Sequence, residues 1–202
     1  MAETNEIVQV PPNSTGAKID HAGFTIGGED VKRQRLQVTV PTKIITAAFA
    51  RPSNTTPYAT GEVVTDGGPT IITFEDVVRE GPQSALIVGA TLVVSSNPTL
   101  KGDFRLFLFD TTVAMEADNA AWDPSDSEMA TCLGYIDFGD EPEPGGASGG
   151  TSNVIYQALG VNIPIVAPTD GVLDVFGILV VRNAYVPTAS ETFTIRLHLI
   201  QD

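Results

Sequence analysis

Acidic side chains are the densest chemical resource of this sequence, and carboxylates can bind a metal ion or act as a general acid and base. No Lys or Arg occurs between Arg105 and Arg182, whereas twelve Asp and Glu residues do. The segment Asp123–Glu128, DPSDSE, is rich in oxygen atoms of the kind that coordinate Ca²⁺. A pair of carboxylates could also cleave a glycosidic bond. Because no loop shows the spacing of a metal-binding motif, a solvated acidic rim is the favoured interpretation.

Nucleophilic catalysis has little support in the sequence. The string Gly146-Ala-Ser148-Gly-Gly150 matches G-x-S-x-G, but it lies in a Pro- and Gly-rich stretch with no helix signal after it. The two histidines, His21 and His198, occupy unlike positions, and the zinc and nucleotide motifs HExxH, CxxC and the P-loop are absent. We therefore predict no catalytic residue, no cofactor and no metal ligand, with Ca²⁺ binding by the acidic loops left open as an alternative.

The charge is divided unequally along the chain, which carries a net charge of −14. Residues 1–54 hold six basic and five acidic residues, so the remaining 148 hold five basic and twenty acidic residues. A strongly acidic body repels phosphate backbones, which argues against nucleic-acid binding. Such asymmetry is typical of an interaction arm. The basic residues that we predict to bind a partner are Lys18, Lys32, Arg33, Arg35, Lys43 and Arg51.

Targeting and membrane signals are missing from the sequence. The stretch at residues 1–16 has neither the basic nor the apolar region of a secretory signal. No run approaches the ~20 apolar residues of a membrane-spanning helix. The single cysteine, Cys132, cannot form an intrachain disulfide and is expected to be a small buried side chain. These features predict a soluble protein that does not bind membranes.

Short β-rich runs separated by turn residues dominate the chain after Tyr58. We predict eight strands, at 58–65, 70–74, 85–95, 104–110, 129–138, 153–158, 172–182 and 192–201. The last run places Phe193, Ile195, Leu197 and Leu199 on one face, and the runs at 85–95 and 172–182 are apolar on both faces, as central strands are. The only helix signal is a weak one at 111–121.

The first part of the chain differs from the rest. Residues 1–28 are polar and punctuated by Gly and Pro, and 31–40 and 43–49 contain one or two further strands. The segment from Arg51 to Pro57 breaks regular structure, so we place the boundary there. The prediction is an all-β protein, with an N-terminal arm at 1–54 and a jelly-roll-like antiparallel β-sandwich at 55–202.

Four segments occur in an order that resembles tailed-phage structural proteins. They are Ile26–Leu36 (IGGEDVKRQRL), Tyr58–Val63 (YATGEV), Leu133–Phe138 (LGYIDF) and Arg182–Pro187 (RNAYVP). The resemblance is to head decoration, or cement, proteins and related virion proteins. It implies a jelly roll that binds the major capsid protein on the capsid surface as a homotrimer.

Three functions are compared on this basis. The first is the phage capsid decoration protein, a non-enzymatic component of the virion. The second is a β-sandwich of a tail, fibre or baseplate that binds host glycans, with Ca²⁺ in its acidic loops. The third is a carboxylate-dependent hydrolase, which a single tryptophan, Trp122, makes the least favoured because sugar-binding sites need aromatic stacking platforms.

Overall fold

The computed structural model consists of two compact units, Met1–Thr39 and Val40–Asp202, and each is described by itself. With their side chains, the structure describes residues 42–78, 84–96, 102–139, 153–166 and 173–201. For residues 4–8, 19–26, 29–34 and 143–144 it describes the backbone alone.

The first unit contains a three-stranded antiparallel sheet. Its strands are β1 (Thr4–Val8), β2 (Ile19–Ile26) and β3 (Glu29–Gln34), with β2 in the centre. β2 and β3 form a tight hairpin, in which Ile26 lies opposite Glu29. The part of the chain expected to hold one or two strands thus holds three before residue 35. The alternating stretch 36–40 lies outside the described residues.

In the residues that the structure describes, the second unit, called the body below, contains nine strands and one turn of helix. The strands are β4 (Thr42–Ala50), β5 (Ile72–Val78), β6 (Ser84–Val94), β7 (Phe104–Phe109), β8 (Cys132–Phe138), β9 (Glu143–Pro144), β10 (Val154–Val166), β11 (Leu173–Val181) and β12 (Thr192–Gln201), and the helix is α1 (Asp126–Met129). One sheet has the order β4-β12-β6-β10-β9, and the other has the order β5-β11-β7-β8. All pairings are antiparallel.

The connectivity of the body is that of a jelly roll. Apart from the two-residue β9, eight strands follow each other along the chain. The first pairs with the eighth, the eighth with the third and the third with the sixth in one sheet, while the second, seventh, fourth and fifth are neighbours in the other. Because successive strands mostly alternate between sheets, neither sheet forms from a continuous stretch of chain. The predicted all-β jelly-roll sandwich is confirmed.

The main core lies between the two sheets. The four apolar residues of β12 that were predicted to share a face, Phe193, Ile195, Leu197 and Leu199, are at most 1% exposed. As predicted, β6 and β11 are interior strands of their sheets. Phe104 of β7 lies at the centre of an aromatic group, with edge-to-face contacts to Tyr156, Tyr185 and Phe193 at centroid distances of 5.5–5.6 Å.

A second, smaller core covers the outer face of the four-stranded sheet. Phe109 of β7 and Ile178 and Val180 of β11 point away from the main core and are buried. The long connection between β7 and β8 covers them with side chains that include Met115 and Trp122. Cys132, expected to be buried, packs against this cluster and is half-buried.

Three local predictions differ from the structure. The boundary expected after Asn54 lies at 39/40, because β4 pairs along its length with β12. The run 58–65 forms isolated bridges, among them Val63 to Val180, and is not a continuous strand. No helix forms at 111–121. A single turn begins instead at the N-cap Ser125, whose hydroxyl and Glu128 form a reciprocal capping box.

Replacing Phe104 with Ala tests the aromatic centre of the core. We expect the free energy of unfolding to fall by about 3–5 kcal/mol, because the cavity cannot be refilled by the surrounding rings. Guanidinium denaturation measures this change. The control is Tyr135→Ala, which truncates a side chain that is 52% exposed and should cost about 1 kcal/mol or less. Equal losses in the two variants would contradict this view of the core.

Candidate functional site

The six basic residues predicted to bind a partner fall into three groups. Lys18 and Arg35 lie outside the described residues, and Lys32 and Arg33 belong to β3, of which the backbone alone is described. Lys43 lies on β4, where its Nζ donates a hydrogen bond of 2.7 Å to the carbonyl of Asp76. Arg51 is buried in the body. Arg51 is therefore a core residue and not an exposed residue of an arm.

Arg51 begins a chain of buried hydrogen bonds. Its Nε donates to the hydroxyl of Tyr58 at 2.7 Å, and that hydroxyl donates to Oδ1 of Asp118 at 2.5 Å. The guanidinium also lies 3.3 Å from Oδ2 of Asp118. The side chains of Arg51 and Asp118 are 0% and 6% exposed, so the ion pair is shielded from solvent. The backbone amide of Thr65 donates to the same carboxylate at 3.0 Å.

The protonation of this network follows from its surroundings. Burial, together with the hydrogen bond to Asp118, raises the pKa of Tyr58 well above its ordinary value. Burial lowers the pKa of Arg51, but the hydrogen bond to Tyr58 and the charge of Asp118 outweigh it and raise the pKa overall. The tyrosine is thus a neutral donor and the arginine a cation at neutral pH.

The buried carboxylate of Glu191 extends the network to the start of β12. It accepts hydrogen bonds from the backbone of Thr188 at 2.9 Å, from the hydroxyl of Tyr185 and from the hydroxyl of Ser96. The rings of Tyr58 and Tyr185 stack at 5.3 Å. The network therefore links the connections at one end of the sandwich by hydrogen bonds, and its polar groups have a structural role.

Removing the carboxylate of Asp118 tests this structural role. We expect Asp118→Ala to lower the free energy of unfolding by about 3–5 kcal/mol, because it leaves the buried guanidinium of Arg51 without a counter-charge. The control Asp123→Ala removes an exposed carboxylate from the same connection and should change stability by less than about 0.5 kcal/mol. Chemical denaturation of both variants measures the difference. A stable Asp118→Ala protein would show that the ion pair does not hold the fold.

The acidic segment that was considered for Ca²⁺ is engaged in hydrogen bonds. The carboxylate of Glu128 accepts from the hydroxyl and amide of Ser125 at 2.7 and 2.8 Å and from the amide of Ala114 at 2.7 Å. These donors lower the pKa of Glu128. In the part of the chain that the structure describes, no three His, Cys, Asp or Glu side chains lie close enough together to hold a metal ion.

Of the residues considered for nucleophilic catalysis, the structure describes the side chain of His198 alone. Ser148 lies outside the described residues, and the side chain of His21 is not described. His198 lies on the outer face of the five-stranded sheet, where its Nε2 is 3.3 Å from the hydroxyl of Thr91.

An aromatic cleft lies on the outer side of β7. It has a volume of about 320 Å³ and is lined by residues that include Arg105, Phe107 and Trp122. The rings of Phe107 and Trp122 are 4.3 Å apart. Arg105 stacks on exposed Tyr135 at 3.9 Å and holds Asp137 through two hydrogen bonds of 2.6 and 2.9 Å. The hydrogen bond from Arg105 lowers the pKa of Asp137. The cleft thus combines aromatic faces with fixed charges.

A second candidate surface is the outer face of the five-stranded sheet. We define this surface, the outer face, by the residues of β4, β12, β6 and β10 that point away from the main core. It includes four of the large apolar side chains that are exposed: Ile44 at 61%, Ile155 at 41%, Leu159 at 80% and Val166 at 74%. Sequence patterning identified β6 as apolar on both sides but did not show that its outer side stays uncovered.

Comparison with solved structures gives distant similarities that include viral structures. No protein-family model matches the sequence, and no curated protein matches it. The chain is similar to infectious bursal disease virus, Gx strain, with 11% identity over 96% of this chain and 46% of that chain and a TM-score of 0.34. The similarity to Desmodium yellow mottle tymovirus has 10% identity over 83% of this chain and 92% of that chain, with a TM-score of 0.23. The similarity to sacbrood virus of honeybee has 9% identity over 94% of this chain and 98% of that chain, with a TM-score of 0.19.

These scores do not establish a shared fold or function. The chain spans less than half the length of the bursal disease virus chain that it matches. In the described residues, no helix is long and apolar enough to cross a membrane.

Proposed function

We propose that this chain is a structural protein of a tailed-phage virion that binds the major capsid protein and stabilises the head. The observation that carries the proposal is the jelly-roll body, which exposes large apolar side chains on open surfaces. Surfaces of this kind bind proteins, whereas small molecules are bound in concave pockets. The resemblance of four sequence segments to phage decoration proteins supports a location on the capsid surface.

The division of charge supports the same function. With the boundary at 39/40, the first unit holds four basic and five acidic residues, whereas the body holds seven basic and twenty acidic residues. Three of the four basic residues of the first unit lie within four positions, at Lys32, Arg33 and Arg35. A near-neutral unit can approach an acidic capsid surface that the body cannot. On a lattice, many weak contacts of this type add up to stable decoration.

Binding of the full chain to undecorated heads of the parent phage tests this function. Replacing Lys32, Arg33 and Arg35 with Gln should weaken co-sedimentation with the heads at least about tenfold if each residue makes a charged contact. The matched control replaces Gln34, Gln37 and Thr39 with Glu, which changes the net charge by the same amount and keeps the basic residues. We expect the control to bind more tightly than the Gln variant.

Two results would count against the proposal. If the unsubstituted chain does not co-sediment with heads, the capsid function is wrong. If the Gln variant binds as tightly as the unsubstituted chain, the basic segment takes no part in binding.

The aromatic cleft favours a second function, the recognition of host glycans by a tail or fibre protein. Sugars stack on aromatic rings, and planar charged groups such as those of Arg105 and Asp137 bind their hydroxyls. Phe107 lies beside the single tryptophan, and Tyr135 lies beside Phe107.

A glycan array, followed by calorimetry with and without Ca²⁺, tests the second function. If the cleft binds a glycan, Trp122→Ala should abolish the binding, because it removes one wall of the cleft. The control Met115→Ala truncates a side chain of the same hydrophobic cluster outside the cleft lining. If no glycan on the array binds and calorimetry detects no binding of Ca²⁺, both this function and the Ca²⁺ hypothesis are wrong.

A further inference from the structure

The outer faces of the two sheets of the body differ in whether other residues of the chain cover them. The outer apolar side chains of the four-stranded sheet are buried under the connection between β7 and β8. The outer apolar side chains of the five-stranded sheet, such as Leu86 and Val93, belong to neither hydrophobic cluster. Leu159 and Val166 at its margin are among the most exposed apolar residues that the structure describes. This surface has the composition of a contact that the single chain leaves open.

The strand register arranges the outer face in rows that run across the sheet. From β4 through β12 and β6 to β10, the rows are Ala48-Thr194-Val93-Ile155, Thr46-Arg196-Thr91-Gln157, Ile44-His198-Gly89-Leu159 and Thr42-Ile200-Leu86-Pro164. No position in these rows is Asp or Glu, although the chain carries twenty-five such residues. At the margin, Glu143 of β9 pairs with Ile155. Within the rows of the four long strands, the outer face is therefore free of carboxylates.

The absence of carboxylates from the rows indicates which partner they fit. A basic partner would be attracted to the acidic surfaces of the body and would gain nothing from this face. A partner as acidic as the chain itself is repelled by every acidic surface and can approach closely here. The strongly acidic partner that is always present at equal concentration is a second copy of the same chain.

The pattern of the rows also suits self-association. A two-fold axis that runs parallel to the strands, between β12 and β6, brings each row over the same row of the second copy. Ile44 then lies over Leu159 of the second copy, and Ala48 over its Ile155. Arg196 lies over Thr91 of the second copy, so the two arginines do not oppose each other directly. About twenty outward positions are available, which matches the ~20–30 residues that each partner contributes to a typical stable interface.

We propose that two copies of the chain associate face to face through the outer face of the five-stranded sheet. A surface that pairs with itself generates a two-fold dimer, the commonest symmetry of soluble oligomers. The resemblance to decoration proteins implies a trimer instead. In a trimer, each subunit contacts its two neighbours through two different surfaces. The proposed dimer concerns the isolated protein and goes beyond the proposed binding to the capsid.

Sedimentation velocity of the full chain over a range of concentrations and salt tests the dimer. We expect a dimer that Leu159→Glu dissociates, with a dissociation constant raised on the order of thirtyfold or more, as for the loss of one apolar anchor of an interface. Ile44→Glu, on the opposite margin of the face, should act in the same way. The control Val186→Glu places the same charge at an apolar residue that is 48% exposed and outside the face, and it should leave the dimer intact.

The salt dependence gives a second readout. Because the two copies repel each other through their net charges, higher salt should strengthen the dimer by screening this repulsion. A contact held by opposite charges would weaken instead. Since Leu159 and Ile44 are mostly exposed in the single chain, their substitution should leave the circular dichroism and the melting temperature of the monomer unchanged.

Four results would overturn the proposed dimer. They are a chain that is monomeric at all concentrations, a dimer that ignores both Glu substitutions, a trimer, and a dimer that weakens as salt rises. Co-sedimentation with phage heads separates this proposal from the capsid function. A monomer that still binds heads would remove the dimer alone. A dimer that fails to bind heads would remove the capsid function alone.

Discussion

The burial of two apolar sheet faces against each other is the interaction on which the rest of this structure depends. The eight longer strands of the body contribute alternate side chains to the space between the sheets, as the four buried apolar residues of β12 illustrate. Since neighbouring strands in either sheet are mostly distant in sequence, the core forms only when the whole body is assembled. Side chains such as Phe104, which touches three aromatic residues from three different segments, then hold both sheets in one relative position.

A stack of two sheets leaves its ends open, and in the body one end is closed by polar groups. Arg51, Tyr58 and Asp118 come from segments on either side of the sandwich, and they meet in a site from which water is excluded. A buried ion pair of this kind adds little net stability compared with apolar packing. It does determine geometry, however, because either partner left alone would be a buried charge. Arg51 therefore positions the connections, a role that the charge division of the sequence did not indicate.

The outer faces of the sheets decide what the body offers to other molecules. The four-stranded sheet is covered by the chain itself, and this cover creates the cleft beside Trp122. The five-stranded sheet presents rows of apolar and neutral polar residues, with one arginine and one histidine. On a protein with a net charge of −14, such a neutral area directs close association to a single place. Both proposals for this protein, capsid binding and face-to-face pairing, use surfaces and need no enclosed pocket.

The alternation of apolar residues by itself determined the all-β class, the two-sheet sandwich, the positions of most body strands and the buried face of β12. Period-two patterning carries this information because it records which side of a strand is buried. It does not record which strands are neighbours, so β4 was assigned to the arm although it pairs with β12. It also does not distinguish a buried arginine from an exposed one. The burial of Arg51 depends on Asp118, which lies 67 residues away along the chain. Tertiary structure alone decided these points, together with the contrast between a covered and an uncovered outer face, because each depends on which distant segments are brought into contact.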